Sequence, residues 1–382
     1  MNICFFSHAP NLTGANKSLI NLINELKKKN VKALVILPKH GIIEEALIEN
    51  DIDYKVIRNY SLLKKKNEVF NKRIVKLVVK RSINSIALIR LLWIIKVKKI
   101  DIIHNNSLAT YIGGVVAKFT EIPTVWHIRE FLEEDHGFEF INKKEMQNLL
   151  ENSDEIIMIS NSIKEYFLKK YSFKKSNLIY NGIPSAEYIY QRAHVFEKKI
   201  INIILLGRLV EGKGQLEALI AINILLERGV DNFKLYIVGS GLEKDDYENK
   251  LYDYIKENSH IANYVEFMPF TLDTKELRIR TDLALVCSIK EAFGRVTIEA
   301  MLANQLVIAS NTGGTLELIN DFETGILYKQ GDSNDLAEKI EWSMKHRIQV
   351  RKIVEAGFNH SLLNFSIENT ADKIYEVYGR IK

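Results

Sequence analysis

Short apolar runs alternate along nearly the whole chain with longer stretches in which apolar residues recur every three or four positions. That alternation predicts parallel βαβ units, because strands buried on both faces read as unbroken apolar runs, whereas crossover helices keep a polar face. The first series predicts strands at Asn2–Ser7, Ala33–Leu37, Tyr54–Ile57, Asp101–His104, Thr124–His127, Glu155–Ser160 and Leu178–Tyr180, with a helix from about Gly14 to Lys29. Turn chemistry at Asn181-Gly182-Ile183-Pro184 then leads into a charged stretch ending at Lys199, which marks a domain boundary. A second series follows at Ile200–Leu206, Lys234–Val238, Val265–Met268, Leu283–Cys287 and Leu306–Ala309. Ser366 to Lys382 reads as a final helix with Ser366 as its N-cap. The expected fold is α/β: two doubly wound halves facing a cleft, residues 1–185 and 186–365, with ligands at the carboxyl ends of the strands.

A length of 382 residues agrees with two cores, and 47% hydrophobic with 26% charged residues is ordinary for a globular protein. Cys4 and Cys287 lie far apart in apolar runs, which suits a reducing cytosol and excludes a disulfide framework or a Cys-based zinc site. Met1 to Pro10 lacks the basic start of a signal peptide, so a cytoplasmic location is expected. The longest apolar stretch, Ser82–Ile95, is interrupted by Arg90 and does not read as a membrane span.

Charge is unevenly placed. The net charge is +5, yet Lys64–Lys99 alone holds twelve Lys or Arg and one acid, Glu68, a local balance of +11 against −6 for the rest. Two readings of residues 64–99 stand side by side: a crossover helix with a solvated basic face, or a surface that meets anionic lipid or an anionic acceptor. Nucleic acid is a poor candidate, since no aromatic-and-basic stacking surface accompanies the patch.

The first strand of the second half runs into Gly207-Arg208-Leu209-Val210-Glu211-Gly212-Lys213-Gly214 and then a helix. The spacing begins like a P-loop, but Gly214 stands where Ser or Thr must hold magnesium, so an NTPase is not expected. Arg208 and Lys213 remain suited to a diphosphate leaving group, with helix-start amides adding positive potential. After Cys287 comes Ser288-Ile289-Lys290-Glu291-Ala292-Phe293-Gly294-Arg295-Val296-Thr297-Ile298-Glu299. If a helix opens near Gly294, Glu291 precedes it and Glu299 lies within it, so the two carboxylates line one pocket.

This segment resembles the E-x7-E motif of retaining GT-B glycosyltransferases of family 4, and Gly207–Gly214 resembles their Arg/Lys phosphate clamp. Asn181-Gly182-Ile183, Val238-Gly239-Ser240-Gly241 and Thr312-Gly313-Gly314-Thr315-Leu316-Glu317 are similar, in order and spacing, to three more of the family's motifs. The resemblance implies two Rossmann-like domains, the second binding a nucleotide-diphosphate sugar (a UDP-sugar favoured) and the first the acceptor, a glycan or lipid-linked. The last helix would pack back on the first domain. It implies front-face transfer, in which the leaving phosphate helps deprotonate the incoming hydroxyl; the basic first domain, for its part, points to a lipid-diphosphate-linked or other anionic acceptor, as in cell-surface polysaccharide assembly. It assigns Glu291 to the sugar hydroxyls, Glu299 to the ribose, Gly239 and Gly241 to the donor, and the backbone around Phe293, Gly294 and Arg295 to the sugar and distal phosphate. His127, at a strand end, falls where the family has a histidine beside donor sugar and acceptor, with Arg129 and Glu130 near it. Thr13 and Gly14 occupy the family's Gly-Gly loop, Thr13 replacing its first glycine, while Ser18 and Asn105 are weaker acceptor-side candidates. No metal or other cofactor is expected, and Asp51-Ile52-Asp53 reads as a surface turn. A sugar-nucleotide 2-epimerase of the same architecture and an inactive nucleotide-binding scaffold are the rival functions.

Overall fold

The computed structural model describes residues 1–66, 74–134, 137–190, 196–241 and 246–382. Of the basic segment, residues 67–73, including Glu68, Lys72 and Arg73, lie outside that set. The chain forms two compact units: Met1–Gly182 together with Ile367–Lys382, and Ile183–Ser366.

Among the described residues the first unit holds nine strands: β1 (Asn2–Phe6), β2 (Lys32–Leu37), β3 (Asp53–Val56), β4 (Leu63–Lys65), β5 (Ile102–Asn105), β6 (Thr124–Ile128), β7 (Phe138–Phe140), β8 (Glu155–Met158) and β9 (Ser176–Leu178). Seven make one parallel sheet in the order β3-β2-β1-β5-β6-β8-β9, and β4 pairs antiparallel with β7. Its helices are α1 (Gly14–Lys28), α2 (Ile43–Glu49), α3 (Ile74–Val97), α4 (Ile112–Thr120), α5 (Lys143–Glu151) and α6 (Asn161–Leu168). Central strands such as β1 and β5 are buried on both faces, which is why their sequences show no polar alternation.

The second unit has β10 (Ile201–Leu206), β11 (Phe233–Val238), β12 (Val265–Met268), β13 (Leu283–Val286), β14 (Leu306–Ser310) and β15 (Ile326–Tyr328), in the parallel order β12-β11-β10-β13-β14-β15. It is covered by α7 (Gln215–Glu227), α8 (Tyr247–Glu257), α9 (Lys275–Arg280), α10 (Arg295–Leu302), α11 (Thr315–Leu318), α12 (Ser333–Lys345) and α13 (Arg347–Asn364). In both sheets the order reverses beside the first strand, between β1 and β5 and between β10 and β13. Those are the switch points at which crossovers leave in opposite directions and open a crevice.

The chain then returns to its starting unit. Helix α14 (Ile367–Ile381) buries Ile367, Ala371, Ile374, Val377 and Tyr378 in the core formed by β1, β2 and α1. Thr370 donates to the Tyr180 carbonyl at 2.9 Å, and the Tyr378 hydroxyl lies 2.7 Å from His104 Nδ1.

Several predicted boundaries move for local reasons. The strand expected to reach Ser160 stops at Met158, because Ser160 turns to cap α6, its Oγ accepting from the Ile163 amide at 3.2 Å. The strand expected at Leu178–Tyr180 is Ser176–Leu178, a half-buried edge on which apolar pattern has little hold. Strands β4, β7 and β15, three residues each, are too short to carry a period.

Replacing Ile374 by Ala should destabilise the first unit by about 2–5 kcal/mol, since the side chain is fully buried. Urea unfolding followed by circular dichroism measures it.

Candidate functional site

Strand β10 ends at Leu206, and the loop beyond it is tied on both sides. The Gly207 amide donates to the Val238 carbonyl (3.1 Å), the Leu209 amide to the Ser240 carbonyl (3.1 Å), and Gln215 Nε2 reaches back to the Arg208 carbonyl (2.8 Å). A single 3-10 turn, Glu211–Lys213, precedes Gly214, whose φ of 69° admits no ordinary side chain without strain; a Cβ there would stand 2.0 Å from the Cys287 carbonyl oxygen. This close approach seats the loop against the end of β13. Arg208 is exposed, and its guanidinium has no partner among the described residues.

Lys213 points into the neighbouring loop. Its Nζ lies 2.7 Å from Glu291 Oε2 and 3.4 Å from Ser288 Oγ, while Ser288 Oγ donates to the same carboxylate at 2.8 Å. Burial pushes the Glu291 carboxyl up, but the Lys213 charge and the hydrogen bonds from Lys213 and Ser288 outweigh it, and the group sits below its ordinary 4.5. The Glu291 backbone is fixed as well: its carbonyl accepts from the Gly314 amide at 2.7 Å, and the Ile289 amide donates to the Gly212 carbonyl at 3.0 Å. The Gly313-Gly314 pair is required here, since a Cβ on Gly313 would fall 2.3 Å from the Glu291 carbonyl oxygen.

Gly294 takes φ 102° and opens α10, with Phe293 buried beneath it against Phe365. Glu299, one turn into α10, is held from two sides: Arg278 Nη2 at 2.9 Å on Oε2 and Arg295 Nη2 at 3.2 Å on Oε1. Arg278 is fully buried and also donates to Gln305 Oε1 at 3.1 Å. Each Glu299 oxygen retains a lone pair for a further donor. Gly239 packs against the phosphate loop, where a Cβ would lie 1.9 Å from the Gly207 carbonyl oxygen. The Gly241 amide is taken by Glu248 Oε2 at 2.9 Å. Lys213, Glu291, Phe293, Gly294, Arg295 and Glu299 are thus assembled beside the β10/β13 switch point, with Gly239 and Gly241 on the loop next to it.

In the first unit, Thr13 is the N-cap of α1, its hydroxyl accepting from the Asn16 amide at 3.4 Å, and Gly14 is the first helical residue. The loop thereby gains a capping hydroxyl where the family has a glycine. His127, near the end of β6, is wholly buried, and burial followed by the Arg129 charge holds its pKa well below 6.5. Arg129 Nη2 contacts His127 Nδ1 at 3.2 Å; because a guanidinium only donates, the proton of this neutral ring is on Nε2, which has no partner among the described residues. Arg129 also binds Asn106 Oδ1 (2.8 Å) and Asn181. Glu130 accepts from the Leu108 amide at 2.8 Å, and Ser18 and Asn105 are buried. Asp51 and Asp53 lie on the surface near Lys27 and Lys98. Among the described residues, no three His, Cys, Asp or Glu are grouped to hold a metal ion.

The model of Glycosyltransferase Family 4 matches residues 12–187, and that of Glycosyl transferases group 1 matches 189–360. The chain belongs to the GT-B glycosyltransferases of family 4. EpsD of Bacillus subtilis (strain 168) is 26% identical over 301 residues, 73% of this chain and 76% of its own. The capsular polysaccharide biosynthesis glycosyltransferase CapM of Staphylococcus aureus is 25% identical over 271 residues, 67% and 70% of the two chains. Anabaena Alr3699/HepE, solved with UDP, superposes with a TM-score of 0.83 at 22% identity over 100% of both chains, and its UDP-glucose complex with 0.82 at 21%.

Within this glycosyltransferase, Arg278 is the site-supporting residue that sequence reasoning passed over. Its signal was faint: one of three cations on a six-residue helix, 21 positions before the carboxylate it grips. Arg278→Met should destabilise the second unit by about 3 kcal/mol, because a buried pair loses one charge; a thermal melt reads this.

The Glu291 pair also has a pH signature. A carboxyl lowered on folding adds stability that is complete above its unfolded value, near 4.5, and is lost as pH falls through the lower folded value. The stability difference between the parent and Glu291→Gln should therefore shrink as pH drops below 4.5, in urea titrations at successive pH values.

Proposed function

We propose that this enzyme transfers a sugar, with retention of anomeric configuration, from a UDP-sugar to a glycan or lipid-linked acceptor in cell-surface polysaccharide assembly. Its place of work is the cytoplasmic face of a membrane. The observation that carries the reading is the Lys213–Glu291 pair, 2.7 Å apart, joining the loops that follow β10 and β13. Both loops stand at the carboxyl ends of the strands flanking the switch point, where an α/β sheet of this kind receives its ligand. Lys213 and Arg208, the latter without a partner among the described residues, take the charge of the departing diphosphate without a metal ion, Glu291 accepts from hydroxyls of the transferred sugar, and Glu299 from the ribose. His127, neutral with its proton on Nε2, donates a hydrogen bond and does not act as an imidazolium acid.

The donor choice is supported by HepE, whose structures hold UDP and UDP-glucose, and the polysaccharide context by CapM. The named glycosyltransferase relative favours transfer over the 2-epimerase and scaffold readings. Lys213→Ala and Glu291→Ala should each lower kcat by about a hundredfold or more while the protein remains folded. Near-parental turnover by either variant, with the best donor from a panel of UDP-, GDP- and ADP-sugars, sinks the assignment. Full activity in excess EDTA is the expected result for the metal-independent step.

A further inference from the structure

Helix α3 is apolar on two opposite sides. One side packs on the first unit through Ala87, Leu91 and Ile95, and Asn84 on that side exchanges hydrogen bonds with the Tyr60 backbone at 2.8 and 2.9 Å. The other side carries Val75, Val79, Ile86, Ile89, Trp93 and Val97, spaced so that they fall in one stripe along the helix. All six are more than half exposed, Ile89 to 70% and Trp93 to 66%. A crossover helix of a soluble sheet protein needs one apolar face. The second, six apolar side chains broken by Ser82, is the kind of exposed apolar surface that marks an interaction site.

We infer that this outer stripe of α3 lies flat in the surface of an anionic lipid bilayer. Charge selects the occupant. Lys76, Arg90 and Lys96 are exposed on the same helix and make no ion pair among the described residues, within a segment whose balance is +11. A second copy of this chain seated on the stripe would bring two such segments together and be repelled, whereas acidic headgroups attract each cation. Trp93 is an interfacial residue by chemistry, with a ring that buries and an N–H that stays hydrated. The helix lies on the membrane and does not cross it: no helix among the described residues is long and apolar enough to span. Such placement sets a lipid-linked acceptor and the enzyme on one surface. It rests on the location proposed above, and its failure leaves the donor chemistry at Lys213 and Glu291 untouched.

The test is sedimentation of the full chain with phosphatidylcholine vesicles, with and without phosphatidylglycerol. Ile86→Ser/Ile89→Ser/Trp93→Ser serves as the comparison, since these side chains are exposed and the fold does not lean on them. The parent should bind the anionic vesicles, weaken at high salt, and shift its Trp93 emission to the blue; Trp126 is buried and Trp342 partly so, leaving Trp93 as the exposed reporter. The triple variant should lose about tenfold or more of that affinity with turnover on a water-soluble acceptor unchanged. Equal binding by parent and variant overturns the inference. So does a mass that doubles with concentration in light scattering and is restored to monomer by the triple variant, which would identify the stripe as a dimer face.

Discussion

One ion pair organises the second unit. Lys213 and Glu291 come from loops after different strands, 78 positions apart in sequence, and meet at 2.7 Å in a half-buried setting. The less exposed Glu291 carboxylate in particular costs free energy to leave without a donor, and Lys213 with Ser288 supplies two. The pair therefore fixes both loops before any donor arrives. On the proposed reading it also sets the order of events: a diphosphate entering beside Arg208 competes with Glu291 for Lys213, and the freed carboxylate becomes the acceptor that sugar hydroxyls require.

In each unit, taken by itself, an arginine fixes a candidate side chain. Glu299 is gripped by the buried Arg278 and the partly buried Arg295 on separate oxygens, so its orientation is set before any ligand arrives. His127 is treated alike, with Arg129 fixing both ring and tautomer. In each case an arginine decides the orientation of its neighbour, a use to which a rigid fork of donors is better suited than an ammonium.

Much of this was legible in the sequence because buried parallel strands and glycine-bearing loops leave strong local traces. Central strands such as Phe233–Val238 and Leu306–Ser310 fall within a residue of their predicted bounds, and the turn at Gly294 opens α10 where the spacing of Glu291 and Glu299 requires it. What escaped was set by tertiary partners. Three-residue edge strands have no period to read, and Arg278 looks like any surface cation until Gln305 and Glu299 are seen around it. Thr13, a departure from the expected glycine, proved to be a helix cap, information held three residues away at Asn16. The outer stripe of α3 was half visible: composition announced the cations, but only burial separates the Leu91 side of the helix from the Trp93 side.

The return of α14 to the first unit bears on how the protein is made. A ribosome delivers residues 183–366 complete before Ile367 emerges, so the second unit has its whole core while the first still lacks Ile374, Val377 and Tyr378. The usual order, in which the amino-terminal domain matures first, is thereby reversed. Until the last turn of helix leaves the exit tunnel, the groove over β1 and α1 stays open, and that bare apolar surface is what a holding chaperone would recognise on the nascent chain.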